Sequence, residues 1–344
     1  FSFAPGTTLE PGQHLLVVKN LEAFQIAYPE VDSGLIAGVY IGSLNNDGEL
    51  LKVNDARGNT VVEFAFNDSY IWPQSPDGAG SSLELIDPAG TSIDQLGKSY
   101  AWRGSREWGG SPGRAGQGPL GVVINEVVSN AGTANPRGDA IELWNPTAAP
   151  INIGGWYLSD SAADPLKYRI LAGTLLMPGQ YVVFDESHFN PVEGGDRAFA
   201  LSANDGDDVW LTVANQAGQV TSIVDDVHFG PSVAGEPFGR MPESLGRMVP
   251  LGEPTLGGAN TAARVGPVVI SEVHYHPTTP GANALAIDPE LDVDDLELLE
   301  ILNRTSRDVD LSQWRLQGGV DLTFPADSLL SAGETILVVP FNPD

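Results

Sequence analysis

The sequence predicts an all-β protein built of repeated sandwiches, and three observations carry that prediction. Apolar and polar residues alternate in most segments, as in Thr60-Val-Val-Glu-Phe-Ala-Phe66 and Val209-Trp-Leu-Thr-Val213, the spacing of strands with one buried face. Gly 40 and Pro 26 make up about a fifth of 344 residues, above the roughly 12% of average usage, and such punctuation suits short strands joined by turns. Short blocks of sequence also recur in a fixed order. Helical spacing is confined to Leu21 to Tyr28, enough for one or two turns.

The recurring blocks justify the elements one by one. Val123-Ile-Asn-Glu-Val127 returns as Val269-Ile-Ser-Glu-Val273, and Ile141-Glu-Leu-Trp-Asn145 as Leu299-Glu-Ile-Leu-Asn303. Ile153-Gly-Gly-Trp-Tyr-Leu158 is matched by Leu311-Ser-Gln-Trp-Arg-Leu316. Leu9-Glu-Pro-Gly12, Leu176-Met-Pro-Gly179 and Leu330-Ser-Ala-Gly333 each read as a turn before a β-branched strand. Asn46-Asp-Gly48 answers Asn204-Asp-Gly206, and Gly113 with Ala115 answers Gly257 with Ala259.

Only one stretch holds the full order. The reading gives a complete second unit at 122–262, the C-terminal part of a first at 1–116, and the N-terminal part of a third at 268–344, with short linkers between. Phe3 aligns to Phe324 without gaps, so 322–344 repeat 1–23. A partial sandwich leaves an open apolar face and unpaired edges. The end units are therefore expected to be completed by more polypeptide. Either the chain runs on into further modules, or strands of 268–344 in one copy complete 1–116 of the next. The overlap of 23 residues counts against the second version, because two copies of one strand would compete for one place.

Ile124 to Val127, Ile141 to Asn145, Gly155 to Leu158 and Leu176 to Gly179 resemble the ordered motifs of the lamin-tail family, which implies tandem immunoglobulin-like β-sandwiches. Gln313 and Ala332 depart from the pattern in the third unit, at turns. Glu272 to Pro277, Asp292 to Glu297, and Trp102-Arg103 with Gly109 to Gly113 are similar to tandem modules of large secreted bacterial proteins. Such modules neighbour spore-coat-kinase-like domains or surface anchors. The resemblance brings no catalytic residues with it, and fold is not function.

Charge narrows the partners. Seventeen basic residues against 45 acidic ones leave a net −28, which argues against nucleic acid and against anionic membrane surfaces. No apolar run approaches the ~18 residues of a membrane span. Cys is absent, so thiolate chemistry and disulfides are excluded. No nucleophile motif, phosphate loop or recognisable pair of catalytic carboxylates occurs. The expected protein is non-enzymatic and extracellular or cell-surface, structural or adhesive, with further copies or modules of itself as partners. The alternative is a polysaccharide- or surface-binding accessory region of a larger secreted enzyme.

The candidate metal ligands are Asp288, Asp292, Asp294 and Asp295, which with Glu290 form an acidic loop whose oxygens suit calcium. The competing reading is a solvated, self-repelling insertion, and no cofactor is required. Glu272, His274 and His276 have the i, i+2, i+4 spacing of one strand face, open to a metal site or to solvated tips. Asp205, Asp207 and Asp208 read as hairpin-turn chemistry, and Asp225-Asp226 shows no useful spacing. Trp156 and Trp314, at matching repeat positions, are expected core anchors. Trp72, Trp102 and Trp108 fall in Pro/Gly contexts where aromatic platforms for sugar are possible.

Overall fold

Glycines in the left-handed region set where the strands begin. Gly12, Gly179 and Gly333 have φ of 77°, 71° and 74°, which glycine adopts without steric cost. In all three copies the following N–H closes the same turn, Gln13 to Glu10 O, Gln180 to Met177 O and Glu334 to Ser331 O. A second pair is sterically enforced. A Cβ on Gly48 would stand 2.2 Å from Phe66 O, and one on Gly206 2.3 Å from Phe229 O, so the Asn-Asp-Gly repeat marks the mouth of a hairpin in both places.

The computed structural model describes residues 1–69, 71–132, 138–192, 195, 197–243, 246–264 and 266–340. The end of the 322–344 overlap, residues 341–344, lies outside them. The chain divides into two units, Phe1–Ala263 and Arg264–Asp344. Among the described residues no helix is long and apolar enough to cross a membrane.

In the first unit, residues 1–116 form β1 (Leu16–Val18), α1 (Leu21–Ala27), β2 (Ile36–Val39), β3 (Gly48–Asn54), β4 (Thr60–Asn67), β5 (Leu83–Leu85) and β6 (Trp102–Gly104). The helix falls where the spacing placed it, capped by Asn20 Oδ1 accepting from Ala23 N–H. The pairs are small, β1 with β2, β3 with β4 and β5 with β6. Leu50, Val53 and Val61 on β3 and β4 are left exposed.

The rest of that unit is a full sandwich. Its strands are β7 (Val123–Val128), β8 (Ala140–Trp144), β9 (Ile151–Asn152), β10 (Tyr157–Ser159), β11 (Tyr168–Arg169), β12 (Leu175–Leu176), β13 (Tyr181–Asp185), β14 (Asp207–Ala214), β15 (Val220–Phe229), β16 (Phe238–Met241) and β17 (Arg247–Pro250), with helix α2 (Glu186–Phe189). A five-stranded sheet, β13-β8-β7-β16-β17, packs with a four-stranded one, β11-β10-β14-β15, and β9 pairs with β12. Ile124, Val127, Ile141 and Leu143 from one sheet meet Leu158, Val209, Leu211 and Phe229 from the other in one core.

The second unit repeats the first half of this plan. Its elements are β18 (Val268–His274), α3 (Ala282–Ile287), β19 (Leu298–Asn303), β20 (Val309–Asp310), β21 (Arg315–Leu316), β22 (Leu322–Thr323), β23 (Leu329–Leu330) and β24 (Thr335–Val338). The order β18-β19-β24 reproduces β7-β8-β13, β20-β23 reproduces β9-β12, and β21-β22 reproduces β10-β11. Among the described residues nothing answers β14 to β17 there. Its core is correspondingly small: Ile301, Leu311, Phe324 and Leu330 are buried. Phe324 and Leu330 are thus core residues, whereas Phe3 and Leu9, their counterparts in sequence, are exposed.

Candidate functional site: a buried carboxylate pair and its clamp

The Ile-Asn-Glu-Val block places an acid inside the complete sandwich. A bulge between Ile124 and Glu126 breaks the alternation of β7, so that Ile124 through Val128 are all buried. Glu126 stands directly opposite Glu142 on β8. Two carboxylates at that spacing repel if both ionise, and neither has any exposed surface. Burial raises the pKa of Glu126. It pushes Glu142 up to about 7, with Glu126 adding to the push, so Glu142 keeps its proton to near-neutral pH.

Donors close the site from a distant segment. Thr255 N–H donates to Glu126 at 2.9 and 3.1 Å and its hydroxyl at 2.5 Å. Gly257 N–H donates to Glu142, and Asn125 Nδ2 to the other oxygen of Glu142 at 2.9 Å. Asn260 Nδ2 donates to Asn125 O and Arg240 O, fastening the tail to β7 and β16. A further clamp lies beside it. Arg240 donates to Asp225 at 2.7 Å, to Ile124 O and to Gly246 O, while Ile124 N–H donates to Asp225. Burial pushes the neighbouring Asp226 up to about 6, and Asp225 adds to it. Asp225, unremarkable in sequence, ties β15 to β7 and β16.

The second unit carries the same strands with a different outcome. Glu272 faces Glu300 across β18 and β19, with a bulge between Ile270 and Glu272, as in the first sandwich. Ser271 Oγ donates to Glu300 at 2.7 Å, in the place of Asn125. No counterpart of Thr255 reaches Glu272 among the described residues. Ile270 and Val273 are each 54% exposed, against 0% for Ile124 and Val127. What both units keep is the Asn anchor: Asn145 Nδ2 donates to Leu176 O, and Asn303 Nδ2 to Leu330 O.

The acidic loop is self-absorbed. Asp288 Oδ1 accepts from Glu290 N–H, Asp292 Oδ1 from Asp294 N–H, and Asp295 Oδ2 from Asp292 N–H. Asp294 and Asp295 open a 3-10 turn, Asp294–Leu296. Among the described residues no group of three or more His, Asp or Glu side chains is placed to hold a metal ion. His276 lies beyond the end of β18, so the three-residue strand face proposed for Glu272, His274 and His276 does not form. His188 and His228, without evident partners in sequence, pair with Asp185 at 2.9 Å and Asp208 at 2.8 Å. Asp207 accepts from Ser202 and Asp208 N–H at the hairpin mouth, as turn chemistry requires.

Tryptophan placement corrects two expectations. Trp156 is a core residue, but Trp314 is 43% exposed, because β21 has β22 beside it and, among the described residues, no partner corresponding to β14. Trp72 is no platform: it is 5% exposed, with its ring 6.4 Å from that of Trp102. Trp102 is half-buried, stacks on Phe64 and donates its indole N–H to Leu96 O. Trp108 stays exposed, with its ring against Gly80, where a Cβ would stand 2.6 Å from it.

The profile of the Lamin Tail Domain family matches residues 116–229 and 261–343, more than half of the chain. The chain belongs to the lamin tail domain family. No curated protein and no solved structure matches it. The lamin-tail domain is an immunoglobulin-like structural fold and not a known catalytic family, in keeping with the all-β sandwich. The first lamin-tail match ends at the last residue of β15. Thr255 to Asn260, which seal Glu126 and Glu142, therefore lie outside the matched segment.

Proposed function

We propose that the protein is a non-enzymatic structural or adhesive polypeptide of the cell exterior, whose lamin-tail sandwiches are joined in series. The observation that carries this reading is the join between residues 1–116 and the complete sandwich. Ile223 N–H donates to Arg106 O and Trp108 N–H to Thr221 O, with Glu107 bridged to Ser222. The edge of the four-stranded sheet thus runs on into the preceding region, and Ala79 is buried against Trp210 and Ile223. A main-chain join of this kind transmits position from one module to the next. The buried acids support the same reading, since donors from the polypeptide itself hold them as ties between strands.

Double substitution Glu107→Cys with Ser222→Cys tests the join. The chain has no other cysteine, so oxidation of the monomer should give one intramolecular disulfide. Failure to crosslink under mild oxidation would remove the join. Turnover of ester, phosphodiester or glycoside substrates by the purified chain would overturn the non-enzymatic reading.

A further inference from the structure

The join between residues 1–116 and the complete sandwich closes over β14 and β15 with a mixture of apolar and ionisable groups. Trp210 and Asp226 stand opposite each other on these strands, and Asp208 opposite His228. The preceding region lays Ala79 on Trp210 and Ile223 and sets Ser75, 1% exposed, against Asp226. The apolar contact is small. Two buried polar atoms at the join, Trp210 Nε1 and Glu107 Oε2, have no hydrogen-bond partner among the described residues. Such atoms lose water on closure and gain no bond in return, so the join is held by a narrow margin.

Two adjacent aspartates make that margin depend on protons. Arg240 on β16 spends its hydrogen bonds on Asp225, Ile124 O and Gly246 O, so it reaches Asp226 only through its charge. Burial and the Asp225 charge hold the Asp226 carboxyl at about 6, against the opposing influence of Ser75 and Arg240. The other charged groups at the join are the Asp208–His228 pair, Arg106, and Glu107, which is bonded to Arg114 at 2.7 Å. Asp77, in the segment that carries Ser75 and Ala79, is exposed.

We propose that the join is a proton-gated hinge, held shut while Asp226 is neutral and loosened when Asp226 ionises. In the open hinge Asp226 is hydrated and returns to its ordinary value of 3.8, so closing takes up a proton. The contribution to closure is present in full below about pH 3.8 and is lost as pH rises through about 6. The closing equilibrium should therefore fall about tenfold from pH 5 to pH 8. Modules joined in this way are stiff in acid and articulate at neutral pH and above.

The hinge presupposes the serial join of the proposed function, and the Glu107→Cys, Ser222→Cys crosslink tests that join alone. Opening is read on the full chain by amide exchange of Trp108 and Ile223, whose N–H groups bond across the join. After correction for the intrinsic pH dependence of exchange, their protection should fall about tenfold between pH 5 and 8. Residues 124–128 of β7 should stay more strongly protected throughout. Asp226→Asn keeps the shape and fixes the neutral state that closure favours, so it should fold. It should abolish the fall in protection although Asp208 and His228 remain in place. Ser75→Ala removes a group that favours the ionised form and should move the fall to higher pH. Protection at 108 and 223 that is flat with pH in the native chain, or that falls equally in Asp226→Asn, would overturn the hinge. A crosslink formed alongside that result would leave the join itself standing.

Discussion

Glu126 and Glu272 occupy the same place on the same strand, facing Glu142 and Glu300 across an identical bulge, yet one pair is sealed and the other open. The local sequence does not decide this. What seals Glu126 is a turn 129 residues later in the chain, and what leaves Glu272 open is the lack of a corresponding turn among the described residues. The buried acid of this chain is thus a property of the completed sheet, conferred by a remote segment that donates hydrogen bonds and excludes water. Burying side chains like Ile124 and Val127 is worth roughly 1.5–3 kcal/mol each relative to leaving them exposed. Completion therefore matters at the scale of a whole domain's stability.

The comparison can be broken most forcefully on the opposite face of the sandwich. Trp156→Ala should cost ~3–5 kcal/mol, as large aromatic truncations in packed cores do, and should collapse the cooperative transition of the first unit in a denaturant titration. Trp314→Ala, at a half-open position, should cost only about 1 kcal/mol. Equal costs would mean that the two units are equally complete.

Next in size is the pH dependence. The pKa of Glu142 in the fold lies above its ordinary value, at about 7, so the folded state holds the proton more tightly than the unfolded chain. The associated stability is present in full below about pH 4.5 and is lost as pH rises through about 7. Asp139 and Asp226, both pushed up to about 6 by burial, act in the same direction. The first unit should lose roughly 2–3 kcal/mol from this carboxylate between pH 5 and 8, and Glu142→Gln should flatten that slope in thermal melts. A melting point that rises over the interval would reverse the sign and reject the buried pair.

Thr255→Val removes one donor from a sealed acid and keeps the shape, at an expected cost of about 1–3 kcal/mol, read as a shift in urea midpoint. The smallest effect lies in the open unit. Gln313 has φ of 64° where the complete sandwich has Gly155 at 88°, a left-handed conformation that penalises a side chain. Gln313→Gly should stabilise the second unit by about 0.5–1 kcal/mol after the added freedom of the unfolded chain is counted. Destabilisation would show that the side chain is held by something other than the turn.

What could be read from sequence was what the chain encodes locally. Period-two runs, the Gly12, Gly179 and Gly333 turns, the Asn-Asp-Gly hairpin mouths and the capped helix after Asn20 all depend on neighbours within a few residues, and the structure places them accordingly. The clamp did not share that legibility. Thr255 to Asn260 reads as a plain Gly-rich turn, and only the fold brings it to Glu126. Arg240, Asp225 and Ile124 meet for the same reason, across 116 residues of chain. A doubled acid within the apolar run Ile223-Val-Asp-Asp-Val227 was the available hint, because such residues are buried only when paired. Trp314 misled in the opposite way: its repeat position predicts a core, but a core needs the facing strand, which repetition of the motif cannot guarantee.

Amide hydrogen exchange on the intact chain compares the two strands most directly. One edge of β7 is paired to β8, and the other is held by β16 at Glu126 and Val127 and by Asp225 at the Ile124 N–H. The buried residues 124–128 should therefore exchange only with unfolding of the sandwich. On β18, the N–H groups of 270–274 that point away from β19 should exchange orders of magnitude faster than those bonded to it. Slow exchange along both edges of β18 in the isolated monomer would contradict the account, because it would require a covering strand that the described residues do not supply.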